Sequence, residues 1–137
     1  MSRSGYSDDL DMWALVRWRG AVSSAISGMR GQAFLRELLA ALDSLPAKRL
    51  IAHELTNMKG EVCAIGSVGV RRGIDMSTID PESREQVAET FGIAKALAAE
   101  LAYINDEVGP CWEQTPEKRF KLVRAWVVRQ LAEATDK

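Results

Sequence analysis

One histidine, His53, and two cysteines, Cys63 and Cys111, are all the soft metal-binding chemistry in this chain. A structural zinc site wants four such ligands in paired short spacings, so neither a metal nor another cofactor is expected. No stretch approaches the roughly eighteen apolar residues that would span a bilayer, and the opening Met1-Ser-Arg-Ser-Gly-Tyr-Ser-Asp-Asp9 lacks the apolar core of an export signal. The expectation is a cytoplasmic protein without a membrane partner, whose two thiols stay reduced. Neither sign of charge is in excess. Eighteen Lys and Arg stand against nineteen Asp and Glu, which removes the general basic field that draws proteins to phosphate backbones. Nucleotide-binding glycine loops and the Gly-x-Ser-x-Gly nucleophile elbow are missing too, as are internal repeats and low-complexity tracts.

What is present is an ordinary globular composition, 47% hydrophobic over 137 residues, enough for one domain, 1–137, with one core. Residues 8–27 read as a first helix, with acids in its first turn and Gly28 just past its end. Leu10, Trp13, Ala14, Ala21 and Ala25 fall on or near one face, and Gly20, Ser24 and Gly28 form a line of small residues. A second helix is predicted over 31–45, where Phe34, Leu35, Leu38, Leu39 and Leu42 keep helical spacing and Pro46 follows. The short runs 49–55 and 61–65, separated by Thr56-Asn-Met-Lys-Gly60, read as a β-hairpin. Residues 61–73, with glycines at 66, 69 and 73, are open between strand and short helix. Asp80-Pro-Glu and Thr115-Pro-Glu signal two helix starts. Gly92 separates a helix ending at Phe91 from another over 93–107, and the final helix carries Phe120, Val123, Trp126, Val127 and Leu131 on one side. The fold class is mainly α, a single compact domain of five or six helices with a minor β-hairpin near residues 49–65.

Three groups of residues could carry function. Arg17 and Arg19 flank Trp18, and Arg and Trp are enriched in binding hot spots. Trp13 and Trp18 lie five residues apart, about 140° around a helix, so one of them is exposed or covers another element. Arg71-Arg72 beside a glycine loop could hold an anion or form a solvated pair. Residues 84–104 have the small, turn and core positions of a helix-turn-helix corner, but the start of its second helix offers only Lys95 as a base-reading donor. Catalysis has little support. His53, in the first strand, would need an orienting partner and a nucleophile. Cys63 reads as a buried small hydrophobe and Cys111 as a loop thiol. Asp8, Asp9 and Asp11 read as helix-start acids, and Asp106-Glu107 as a second acidic pair.

Gly5-Tyr-Ser-Asp-Asp9, Trp18-Arg-Gly-Ala-Val22, Arg30-Gly-Gln-Ala-Phe-Leu-Arg-Glu-Leu-Leu39, Gly60-Glu-Val-Cys-Ala-Ile-Gly66, Asn105-Asp-Glu107 and Thr115-Pro-Glu-Lys-Arg-Phe120 together resemble a group of small, functionally uncharacterised proteins encoded by bacteriophages and prophages. The resemblance covers nearly the whole chain and carries no catalytic or binding residue with it. Relatives in that group often have Lys at the position of Met29 and a tryptophan near Phe120. It implies an accessory protein that occupies a host protein, such as a defence component, or adjusts transcription. The expectations are therefore a non-enzymatic protein-binding module acting through Trp13, Arg17, Trp18, Arg19, Arg71 and Arg72, with a homodimer open. The alternatives are a DNA-associated regulator using Lys95, and an enzyme acting through His53 or a carboxylate pair, which would require these groups to converge in a pocket.

Overall fold

The computed structural model describes residues 3–4, 12–108 and 114–135, with 132–135 as backbone alone. Leu10, the acids Asp8, Asp9 and Asp11, and Cys111 lie outside the described residues. Within them, six α-helices run in the order α1 (Met12–Ser27), α2 (Met29–Ser44), α3 (Ala64–Arg72), α4 (Arg84–Phe91), α5 (Lys95–Asp106) and α6 (Pro116–Thr135), with a 3₁₀ turn at Met76–Thr78.

Helix α5 is the hub, packed against α1, α3, α4 and α6. It buries Ala96 through Ala102, Ile104 and Asn105, which means that both sides of the helix are covered. Four alanines in this run let neighbouring backbones approach closely, while Leu97, Leu101 and Ile104 fill the core. Helices α2 and α6 bury the stripes their spacing predicts: Phe34, Leu35, Leu38 and Leu42 on one, Phe120, Val123, Trp126 and Val127 on the other. Thr115 starts α6 as expected, its Oγ1 accepting from the Lys118 N–H.

The corner between α1 and α2 depends on Gly31. A Cβ there would stand 1.8 Å from the Ala25 carbonyl oxygen, a backbone atom of α1, so only glycine lets the second helix leave at this angle. The adjacent Gln32 side chain donates to the Ile26 carbonyl at 2.8 Å and so occupies one of the orphan acceptors at the end of α1.

The predicted hairpin at 49–65 is not formed. Its turn is there: Asn57 Oδ1 accepts from the Lys59 and Glu61 N–H groups and Gly60 takes φ +80°. Beyond it, only the single bridge between Thr56 and Val62 closes. The cause is visible along the first arm. His53 adopts φ +71°, a left-handed conformation that histidine reaches more readily than most residues, and it bends the chain away from a ladder. Ile51 N–H still donates to the Val62 carbonyl at 2.9 Å, but elements outside the hairpin take several of the arm's other hydrogen bonds. Leu50 donates to the Pro116 carbonyl and accepts from Arg119 Nη1 at 2.8 Å. Arg119 is thereby buried. The open stretch 61–73 resolves into helix: α3 begins at Ala64 and ends with Gly73 in the left-handed cap conformation.

The start of α4 also differs from expectation. Asp80 caps a turn, accepting from the Glu82 N–H at 2.9 Å, and Pro81 belongs to that turn. The helix begins three residues later, with the Ser83 hydroxyl accepting from the Gln86 N–H. Two hydrogen-bonding caps in series displaced the boundary.

Candidate functional site: the exposed end of the first helix

Helix α1 is apolar almost all round, so its core face is chosen by its neighbours and not by its periodicity. The face buried against α2 and α5 runs through Ala14, Trp18, Val22 and Ala25, of which only Val22 is fully covered. Trp13 and Ala21, which the sequence places on or near one face with Ala14 and Ala25, point outward. At about 100° per residue, Leu15, Met12, Val16 and Trp13 occupy an arc of roughly 160° on the opposite side. Met12 is 77% exposed, Trp13 73%, Val16 57% and Leu15 46%.

Taking roughly 150–250 Å² for a large side chain, these four residues present on the order of 500 Å² of contiguous apolar surface, the upper range for a monomer's largest patch. Arg17 is exposed at one edge, and no carboxylate occurs between Met12 and Ser27. Further along, the same arc carries Arg19, Gly20, Ser23, Ile26 and Ser27, with Ser24 just beyond its edge.

The other residues singled out from the sequence are engaged within the fold. Trp18 lies half-buried beneath Arg84 of α4, whose guanidinium carbon is 5.6 Å from the ring centroid. Arg19 bridges to α5 through Glu100 Oε1 at 2.9 Å. Arg72 clamps Glu37 of α2 with two hydrogen bonds, 2.8 and 2.6 Å, and its guanidinium stands 5.9 and 5.8 Å from the Phe34 and Phe91 rings. Hydrogen bonding from Arg72 first, with the charges of Arg72 and Arg71 behind it, holds the Glu37 carboxyl below its usual range. Arg71 donates to the Ser44 hydroxyl. The pair therefore ties α3 to α2. Arg72→Ala is expected to cost about 1–3 kcal/mol through the loss of a two-pronged, charge-assisted clamp over aromatic faces, read as a lowered urea midpoint at unchanged slope. Lys95 is exposed and stands 4.0 Å from Glu85.

His53 and a carboxylate do converge. His53 Nδ1 lies 3.6 Å from Asp106 Oδ2, and Asp106 sits in a buried polar knot. Arg3 donates to both of its oxygens at 2.7 Å, Asn105 Nδ2 donates at 2.7 Å, and the His53 backbone N–H at 3.1 Å. Burial alone would raise the Asp106 carboxyl; Arg3's hydrogen bonds and charge, then Asn105 and the His53 amide, outweigh it and hold it below the usual range. Arg3 also reaches Cys63 Sγ at 3.6 Å, and that thiol caps α3 by accepting from the Gly66 N–H. Ser4 donates to Glu107. The space beside Arg3 is about 10 Å³, no more than one water. With every Asp106 oxygen taken and Cys63 buried, the knot is built as a clamp on residues 3–4. Among the described residues, no group of three His, Cys, Asp or Glu side chains gathers as metal ligands.

An open groove of about 690 Å³ runs between the 54–61 turn and the 76–81 segment, walled by Leu55, Met76, Ile79 and Pro81. The Ser77 hydroxyl in it is bonded to Asp75 at 2.6 Å. Among the described residues no helix is long and apolar enough to cross a membrane. No protein-family model, curated protein or solved structure matches the chain.

Proposed function

We propose that this protein is a non-enzymatic binding module that engages a protein partner through the exposed end of α1. The observation that carries this reading is the Met12, Trp13, Leu15, Val16 arc, an apolar patch with an arginine at its edge. Covering such a patch gains roughly 25 cal/mol per Å², and a tryptophan with neighbouring aliphatic side chains is the composition of a binding hot spot. Arg17 at the rim favours an acidic border on the partner. The resemblance to phage- and prophage-encoded proteins supports a host protein as that partner and an accessory, counter-defence role.

The alternative, a DNA-associated regulator, rests on the corner formed by α4, Gly92 and α5. Its second helix would have to enter a groove, yet α5 is the covered hub of the domain and exposes only Lys95 at its start. Protein binding is the better reading.

Affinity capture from host extract with the wild-type chain, compared with Trp13→Ala and Trp18→Ala, tests it. Trp13→Ala should release a specifically captured protein by about 2 kcal/mol, some thirtyfold, without changing the chain's thermal midpoint. Trp18→Ala should lower the midpoint by disturbing the contact with Arg84. Capture indifferent to Trp13→Ala counts against the α1 surface.

A further inference from the structure

We propose that the exposed face of α1 is paired, in the free protein, with α1 of a second copy in antiparallel register. The proposal rests on the reading of this face as a protein-binding surface and names its occupant.

The face is divided lengthwise. Bulky apolar residues, Met12, Trp13, Leu15 and Val16, occupy its first half, and Gly20, Ser23 and Ser27 its second, with Arg19 and half-buried Ile26 along one edge of the same arc. An antiparallel copy related by a two-fold axis between Arg19 and Gly20 sets Met12 opposite Ser27, Val16 opposite Ser23 and Arg19 opposite Gly20, each pair occurring twice. Large meets small at these three positions, which lets two helices interdigitate at close range. A Cβ added at Gly20 would meet no atom of its own chain within 4 Å, so the notch opens outward.

Electrostatics permits the pairing. Arg19 is the one charged residue on the central seam, and it already carries Glu100 at 2.9 Å; antiparallel helix dipoles oppose favourably. Each copy would remove on the order of 500 Å² of apolar surface, about 1,000 Å² for the pair, the lower bound for a specific interface before its rim is counted.

Light scattering of the purified chain over a concentration series reads the association. The expected result is the mass of two chains, falling to one on dilution. Val16→Glu, at an exposed position that disturbs no core contact, should weaken association by about tenfold or more by setting a carboxylate into the apolar seam. Gly20→Leu introduces a strong helix former where the monomer has room, so it should keep or raise the thermal midpoint while weakening association to a similar degree by filling the notch. A mass of one chain at every concentration overturns the pairing, and so does a dimer that either variant leaves intact. The capture experiment reads a different protein, so either result can fail without the other.

Discussion

Gly66→Ala is expected to destabilise the fold by about 3 kcal/mol or more, the high end for overpacking, because the obstruction is backbone and not a side chain that can rotate away. A Cβ at this position would lie 1.9 Å from the Leu55 carbonyl oxygen and 2.9 Å from its carbon. Helix α3 cannot back off easily. Its first turn is fixed by the Cys63 thiol, which accepts from Gly66 N–H, and by Asn105 Oδ1, which accepts from Ala64 N–H at 3.0 Å inside the core. The comparison is Gly69→Ala. There the nearest atom is the Met76 Sδ, 2.3 Å away, and a methionine side chain can swing aside, for a cost of about 1 kcal/mol. Urea denaturation of the two variants should show the larger midpoint loss for Gly66→Ala. Equal losses would mean that α3 and the 50s segment are not in rigid contact.

Asp106→Ala should cost a similar amount, about 3–5 kcal/mol, because it strands a buried guanidinium. Arg3 is 4% exposed and the Asp106 side chain 1%, and the lost carboxylate also leaves Asn105 Nδ2 and the His53 N–H without this acceptor. The same carboxylate gives a pH signature. Its folded-state pKa is depressed, so its contribution is complete above the ordinary aspartate value of about 3.9 and disappears as the pH falls through the lower folded value. Arg3 stays charged throughout, its own pKa being raised: burial works against this, while Cys63 and Asp106 outweigh it. Wild-type stability should therefore fall as the pH drops below about 3.9, and the Asp106→Ala variant, already lacking the contribution, should fall less steeply. Parallel curves would show that Asp106 is not the group responsible.

Legibility followed how local the determining forces were. Helices α2 and α6 could be read from their apolar stripes, and the α6 start from Thr115-Pro116, because spacing and capping are properties of neighbouring residues. The hairpin failed because its first arm is partly satisfied from a distance, by Pro116, Arg119 and Asp106, and because His53 takes a left-handed turn that no local pattern announces. The α4 start moved because Asp80 and Ser83 both make caps and the later one holds the helix. At the candidate site, Trp13 and Arg17 were legible as contact residues. Met12, Leu15 and Val16 were missed because α1 offers apolar residues on nearly every side, and α2 and α5 select which of them to bury. The sequence did contain one usable signal: Ala14, Trp18, Val22 and Ala25 form a seam of mostly small residues suited to a close neighbour, leaving the bulkier arc outside. The roles of Trp18 and Arg72 depended on Arg84 and Glu37, residues distant in the chain.

The most direct measurement is site-specific photocross-linking in the expressing cell, with a photoreactive side chain placed at Trp13 and, as a control, at exposed Lys59 of the 54–61 turn. Discrete protein adducts at residue 13 and none at residue 59 are the expected result. Adducts absent at residue 13, or equal at the two positions, would contradict a protein-binding role for the exposed end of α1.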